Sequence, residues 1–361
     1  MAECGRFERR ENICICETRR YFLLFCILLL SFKSGSACPS QKDDDPRTFF
    51  VFGDSYADTG NAPFIASSWR SPYGLSWPGR PTGRFSDGIV KTDVLASEAL
   101  CLPSPPPYAQ ILNASLSGGI NFAVAGSGTM QAFGTPPFGD QVDWFSGYVD
   151  SKLFSPYLLK NAVVFVSVSG NDYAVYNGTT LQGYLPLVTQ VVDLIERNLR
   201  QLYTLGVRNF MVSTLAPLRC LPARTASTGY TECPKNNTVD RVISAHNFLL
   251  QRTISSIIKT SKDSNFILLD QTKALSYILK HLSDFGLTEG LRPCCTGACG
   301  ETDETGKHLY EVCDDPNKYL FWDYFHPTQA GWKAVVNLYS RKTRPGFTRI
   351  SPSLAAWADN L

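Results

Sequence analysis

Acyl chemistry by a serine needs a hydroxyl, a base to take its proton, a group that orients the base, and donors for the oxyanion. The base is the scarce item, because the 361-residue chain has only four histidines: His246, His281, His308 and His326. His246 and His281 sit in stretches with helical patterning and are expected at a surface or an interface. His308 follows a charged, glycine-containing segment (GETDETGK) that reads as a loop. His326 is different. In Asp323-Tyr-Phe-His326-Pro327 an acid stands three residues ahead and a proline fixes the following φ. On a tight loop, i and i+3 can face each other, so Asp323 can hold one imidazole nitrogen while the other faces a nucleophile. The same residues also suit a helix-capping loop with an ordinary exposed histidine.

The hydroxyl and the donors are sought where chain elements end. Thr48–Phe52 is a short apolar run that stops at Gly53, and similar runs recur at Ile120–Val124, Ala162–Val168, Arg208–Val212 and Asn265–Leu269. Continuous apolarity is the pattern of strands buried on both faces, as in a parallel sheet. Between them, Leu185, Val188, Val192, Ile195, Leu199 and Leu202 repeat at helical steps, with Gly206 as a stop. A second helix fits about 238–260, and a third should follow Pro327, which suits a first helical turn. Strands alternating with helices predict a doubly wound α/β sheet, with chemistry beyond the carboxyl ends of its strands. The residues there are Gly53-Asp54-Ser55, Ala125-Gly126 and Ser169-Gly-Asn171-Asp172. Each has a plainer reading: Ser55 as a helix N-cap, Gly53 and Gly60 as turn residues, Asn171 as a turn brace. The G-x-S-x-G elbow is absent, since Ala57 takes its last position. Neither G-x-G-x-x-G opening a helix nor a Walker-type loop occurs, which argues against nucleotides.

The first forty residues give an address. Arg19 and Arg20 precede the apolar run Tyr21–Phe32 and the small residues Ser34–Ala37, the order of a secretory signal peptide cleaved after Ala37. The run falls short of the roughly 20 apolar residues of a membrane span, although an uncleaved anchor is the alternative. Residues 38–47 are polar and are expected to be a flexible mature N-terminus; Asp43, Asp44 and Asp45 fit a solvated charge run better than a calcium site. Beyond the leader lie Cys38, Cys101, Cys220, Cys233, Cys294, Cys295, Cys299 and Cys313, an even set that suits disulfides in an exported chain. Zinc at the 294–313 cluster is disfavoured for want of paired Cys-x-x-Cys knuckles. Asn113, Asn177 and Asn236 each head a glycosylation sequon. With 34 Lys+Arg against 32 Asp+Glu, the formal net charge of +2 suggests no nucleic-acid partner.

Phe50-Val-Phe-Gly-Asp-Ser-Tyr-Ala-Asp-Thr-Gly-Asn61 resembles the first sequence block of the plant GDSL esterase/lipase family, a branch of the SGNH hydrolases. Gly83-Arg-Phe-Ser-Asp-Gly88, Gly119-Ile-Asn-Phe-Ala-Val-Ala-Gly126, Ser169-Gly-Asn-Asp172, Ala216-Pro-Leu-Arg-Cys-Leu-Pro222 and Asp323-Tyr-Phe-His-Pro327 resemble later blocks, in order, from about 48 to 340. The resemblance implies a three-layer α/β/α sandwich around a mostly parallel five-stranded sheet, over 48–345, followed by a C-terminal tail at 346–361. It implies Ser55 as nucleophile, His326 as general base and Asp323 as its orienting carboxylate. The backbone N–H groups of Ser55 and Gly126 and the Asn171 side chain would be the oxyanion donors. Two positions depart from the family pattern: Tyr56 stands where the name-giving leucine would be, and Arg219 replaces the usual glycine before Cys220. Asp54 is expected to brace the turn rather than react.

The expected function is therefore a secreted serine esterase or lipase acting on acyl esters through an acyl-enzyme, with no metal or cofactor. An acyltransferase using an alcohol acceptor is the first alternative, and a secreted binding protein that keeps the fold is the second. A monomer without a stable membrane anchor is expected, destined for the apoplast, the cell wall or a vacuole. Trp69, Trp77 and Pro103–Pro107 could line a cleft, but surface packing is the better reading.

Overall fold

The computed structural model describes residues 47–361 except 114, 115, 117, 169, 236, 342–345 and 352, and not the side chains of 112 and 113. The expected leader, the residues from 38 to 46 with Cys38, and the Asn113 and Asn236 acceptor side chains lie outside the described residues.

Four of the five apolar runs form the central sheet. Strand β1 (Phe49–Gly53) pairs in parallel with β2 (Val163–Ser167), β2 with β3 (Asn209–Ser213), and β3 with β4 (Asn265–Leu269). Apart from Asn209 and Asn265, every residue in them is buried. Because side chains alternate along a strand, the sheet feeds two cores. Phe49, Val51, Phe165 and Ile267 enter one, and Phe50, Phe52, Val164 and Phe266 enter the other. The first core is covered by α1 (Lys91–Val94), α5 (Gln271–Ile278), α6 (Gln329–Ser340) and α7 (Leu354–Ala358), through Val94, Leu275, Trp332 and Trp357. The second is covered by α2 (Phe138–Asp150), α3 (Leu181–Thr204) and α4 (Asn237–Thr260), through Phe145, Leu199 and Leu250. This is a three-layer α/β/α sandwich.

The fifth run behaves differently. Residues 118–124 lie along β1, exchanging hydrogen bonds of 2.7–3.1 Å with Phe49, Val51 and Gly53, but they form a bridge only at Asn121. The Asn121 N–H is drawn off to the Pro106 carbonyl, so this segment is an irregular edge rather than a strand. The fifth strand comes instead from the end of the chain: β9 (Thr348–Arg349) pairs antiparallel with β4. Residues 346–361 are thus more than a tail. Arg349 binds Asp270 at 2.7 Å, and Leu354 and Trp357 are buried in the first core.

The helices begin and end as their sequences dictate. Thr180 caps α3 through the Gly183 N–H, and Gly206, at φ +111°, turns the chain after it. Thr328 caps α6 through the Gly331 N–H at 2.9 Å, so Pro327 precedes the cap instead of filling the first turn. No helix among the described residues is long and apolar enough to cross a membrane.

A satellite region holds the last catalytic-candidate loop. Strand β5 (Glu289–Pro293) pairs in parallel with β8 (Tyr319–Phe321), while β6 (Cys295–Thr302) and β7 (His308–Val312) form an antiparallel ribbon. Disulfides Cys294–Cys313 and Cys295–Cys299 tie this ribbon, and Cys220–Cys233 closes another loop. Cys101 is also disulfide-bonded. The cysteines considered for zinc are therefore consumed in disulfides. His308 opens β7 rather than sitting in a loop.

Because α7 seals one core, Trp357→Ala should cost about 3–5 kcal/mol of stability. Denaturant unfolding will read this as a lower midpoint, and an unchanged midpoint would show that α7 contributes nothing to the fold.

Candidate active site

Strand β1 stops where its backbone must do something only glycine tolerates. Gly53 adopts φ +142°, and a Cβ there would lie 2.1 Å from the Ser167 carbonyl oxygen. The Asp54 N–H donates to that same oxygen at 3.1 Å, and the chain then turns, with the N–H groups of Ala57 and Asp58 both on the Asp54 carbonyl at 2.9 Å. Ser55 rides on this turn, partly exposed, and caps no helix. The buried Gln141 of α2 grips the turn from behind. Its Oε1 accepts from the Gly53 N–H at 2.8 Å, and its Nε2 donates to the Gly53 carbonyl at 2.9 Å and to Ser127 Oγ at 3.1 Å.

His326 meets this turn from the far end of the chain. Ser55 Oγ lies 2.9 Å from His326 Nε2. On the other side of the ring, Nδ1 is 2.8 and 2.9 Å from the two oxygens of Asp323. A carboxylate only accepts, so Nδ1 carries the proton and Nε2 presents its lone pair to the serine. Asp323 is itself held. Oδ1 accepts the N–H groups of Phe325 and His326 at 2.8 Å each, and Oδ2 accepts the Tyr73 hydroxyl at 2.9 Å. Burial pushes the Asp323 carboxyl up, but the His326 charge, its hydrogen bond and the backbone donors outweigh that and hold it below its usual range. Phe85 tilts over the imidazole with centroids 4.8 Å apart, and the Tyr56 ring meets it edge-on at 5.9 Å.

The candidate donors flank the serine. Gly126 sits just past the edge segment, at φ +89°. Neither its N–H nor that of Ser55 is committed to an acceptor among the described residues. Asn171 opens the short helical turn Asn171–Ala174, and its Nδ2 donates to the Ser127 carbonyl at 2.9 Å, leaving the second amide hydrogen to point elsewhere. The next residue, Asp172, accepts the N–H groups of Thr129 and Met130 at 2.9 Å each, which locks the Asn171 turn to the Gly126 loop.

Several residues that sequence reasoning passed over hold these parts together. Asp58 accepts the N–H groups of Gly60, Asn61 and Ala125 at 2.6–2.8 Å, joining the serine turn to the Gly126 segment. Burial raises its carboxyl to about 6 despite those donors. The Asn121 amide donates to the Ala57 carbonyl and to Thr59 at 2.7 and 2.9 Å. Arg84 clamps Asp93 with two hydrogen bonds of 2.8 and 2.9 Å and reaches the Thr59 carbonyl at 3.1 Å. In the same segment, Ser86 donates to the Pro327 carbonyl and Asp87 accepts the Gln329 N–H. Tyr56, in the place of leucine, donates its hydroxyl to the Phe325 carbonyl at 2.8 Å. Arg219 binds Asp240 at 2.7 Å and the Cys233 carbonyl, pinning the Cys220–Cys233 loop to α4. Beneath the site, the fully buried Lys91 donates to Ser167 and Ser213 at 2.9 and 3.0 Å and to Gln271. Burial lowers its amine to about 7, against the pull of the Asp54 charge.

Trp69 donates to the Ala62 carbonyl at 2.8 Å and Trp77 stacks under Arg84, so both are engaged in surface packing. A cleft of about 620 Å³, lined by Phe154, Leu159, Lys160 and Arg208, opens at the opposite, amino-terminal edge of the sheet.

A three-layer α/β/α sandwich with a serine, a histidine and a carboxylate in contact beyond its strand ends suits a carboxylic ester hydrolase. Residues 49–338 match the GDSL-like lipase/acylhydrolase family, and the chain belongs to that family. It is 39% identical over 310 residues to GDSL esterase/lipase At5g03610 of Arabidopsis thaliana, covering 81% of this chain and 86% of the relative. Similarity to GDSL esterase/lipase At3g09930 of the same plant is 36% over 316 residues, covering 81% and 87%. Among solved structures, the chain is similar to a catalytic mutant of Axe2, an acetylxylan esterase from Geobacillus stearothermophilus. That likeness has a TM-score of 0.37 and 15% identity, covering 80% of this chain and 90% of that one.

The remaining histidines are elsewhere. His281 is exposed and lies just after α5. His246, expected at a surface or an interface, is 1% exposed, because the inward face of α4 carries it to Tyr173, whose hydroxyl is 2.8 Å from Nδ1. Burial depresses its pKa from 6.5 to about 3, so the native state keeps the ring neutral where the unfolded chain takes up a proton. Its contribution to stability is therefore complete above the unfolded value and is lost as pH falls toward 3, at up to about 1.4 kcal/mol per pH unit. Unfolding measured across this range should show a shallower acid decline for His246→Gln than for wild type. Equal slopes would mean that the ring titrates alike in both states.

Proposed function

We propose that the chain hydrolyses carboxylic acyl esters with Ser55 as nucleophile, His326 as general base and then acid, and Asp323 as the carboxylate that orients it. The observation that carries this reading is the continuous contact from Ser55 Oγ to His326 Nε2 and from Nδ1 to Asp323. Ser55 Oγ attacks the ester carbonyl carbon as its proton passes to Nε2. Asp323 stabilises the imidazolium so formed without taking the proton. The carbonyl oxygen becomes an oxyanion, received by the N–H groups of Ser55 and Gly126 and the free amide hydrogen of Asn171. As the tetrahedral centre collapses, the bond to the alcohol oxygen breaks and His326 gives that oxygen its proton. A water then attacks the acyl-enzyme, His326 takes its proton, and the acid leaves as Ser55 regains its hydrogen.

The reading extends to the route the protein takes. We regard 1–37 as a cleaved secretory leader and 48–345 as the hydrolase domain, to which 346–361 adds its strand and helix. Disulfides among the described residues support export to the apoplast, the cell wall or a vacuole. Asn177 lies exposed on a loop, as a glycan acceptor would need.

The test is to express the chain in a secretory host and assay p-nitrophenyl esters of graded acyl length. Ser55→Ala should abolish turnover in a protein that still folds, and Asn171→Ala should cost about 10²–10³ in kcat. Wild-type protein labelled at Ser55 by a fluorophosphonate but inert toward every ester would replace hydrolysis with transfer to an alcohol. Neither labelling nor turnover would sink the assignment of Ser55.

A further inference from the structure

The loop from Gly126 to Thr135 ends in a tight turn whose two central residues, Phe133 and Gly134, both have positive φ, +49° and +69°. The turn closes through the Thr135 N–H and hydroxyl, both on the Ala132 carbonyl, at 3.0 and 2.9 Å. Paired positive φ values are those of a mirror-image type I′ turn, whose first central position favours Asn, Asp or Gly. A phenylalanine there is doubly misplaced. Its backbone sits in a region that bulky side chains avoid, and its ring is 63% exposed to water. Turn conformation and exposure to water both disfavour phenylalanine here, and strained outliers cluster at ligand-binding sites.

The turn is also not loose. Ser127 donates to the Pro136 carbonyl at 2.6 Å and receives a hydrogen bond from Gln141, while Thr129 and Met130 are tied to Asp172. The loop is therefore a braced platform carrying one apolar ring. Its location is set by Gly126: a Cβ on that residue would stand 3.5 Å from the Phe133 Cβ and 3.1 Å from Thr135. The root of the Phe133 side chain is thus close to Gly126, the residue whose N–H is assigned to the oxyanion. A second exposed ring, Phe325, is 53% exposed and directly precedes His326, with its centroid 6.3 Å from the imidazole. The leaving alcohol oxygen must lie at His326 to be protonated, which puts Phe325 next to the alcohol; the carbonyl oxygen received at Gly126 belongs to the acyl half, which puts Phe133 next to that half.

We propose that Phe133 is a substrate-contacting, specificity-determining residue that selects esters whose acyl half is apolar and long enough to lie against its ring. This rests on the serine hydrolase reading above. It assigns medium or long alkyl and aryl acyl groups, in preference to acetyl, as the favoured substrate class.

The test compares wild type, Phe133→Asn and Phe133→Leu on p-nitrophenyl acetate, butyrate and octanoate, and on acetate esters of alcohols of graded size. Asparagine suits the turn and keeps it folded, whereas leucine keeps an apolar contact. Phe133→Asn should lower the octanoate-to-acetate ratio of kcat/KM by on the order of tenfold, mainly through KM, while Phe133→Leu keeps most of the ratio. A turn-forming role would give the opposite ranking, with asparagine equal to or better than wild type at every chain length. That result, a uniform loss, or a change confined to the alcohol series would overturn the proposal. If wild type hydrolyses short and long esters and the ratio does not move, Phe133 alone is misassigned. If Ser55 can be neither labelled nor turned over, the underlying hydrolase reading fails and takes this inference with it.

Discussion

A carboxylate taken out of water loses more than one hydrogen bond returns, and Asp323 is only 5% exposed. It stays ionised because four donors converge on it: the imidazole Nδ1, two backbone N–H groups of its own loop, and the Tyr73 hydroxyl from a segment 250 residues earlier. Three of those donors come from the three-residue arc between Asp323 and His326, so the carboxylate sets the loop conformation that aims the ring. The fourth ties the arc to the amino-terminal part of the fold. An anion that must be satisfied therefore fixes a geometry that Ser55 can use.

The block at Gly83–Gly88 makes sense in this light. None of its side chains reaches Ser55 by a hydrogen bond, yet it touches both halves of the site. Arg84 holds the Thr59 carbonyl behind the serine turn, Phe85 covers the imidazole, and Ser86 and Asp87 hold the backbone on either side of Thr328. It acts as a strut between two loops with no covalent proximity. Lys91 does the same one layer down, joining the ends of β2 and β3 to the start of α5 through its amine. Its amine nitrogen lies 5.2 Å from the Phe165 and Trp332 rings, whose faces favour the protonated form against the burial that opposes it.

Much of this was legible from residue order alone. Strands buried on both faces need unbroken apolar runs, and four of five such runs became strands. The one that failed, Ile120–Val124, carries Asn121, whose N–H and side chain serve the neighbouring loops rather than the ladder. The pairing of His326 with Asp323 was one of two readings their spacing allowed, the other being a plain helix-capping loop, and a tight loop brings the two into contact. Asp58, Gln141 and Tyr73 were not legible, because their roles depend on partners 67, 88 and 250 residues away. Burial of His246 was missed for a related reason: helical patterning defines faces, but not how far the buried arc extends when a tyrosine waits across it. The last strand was invisible because two residues carry no pattern.

Chain order gives the site a temporal property. Ser55 and His326 are 271 residues apart, and the helix that seals the first core, α7, comes later still. A ribosome delivers the hydroxyl early and its base near the end, so a nascent chain halted anywhere before the final loop holds an ordinary serine on an unfinished sheet. Serine and base can therefore meet only after the closing loop has been made.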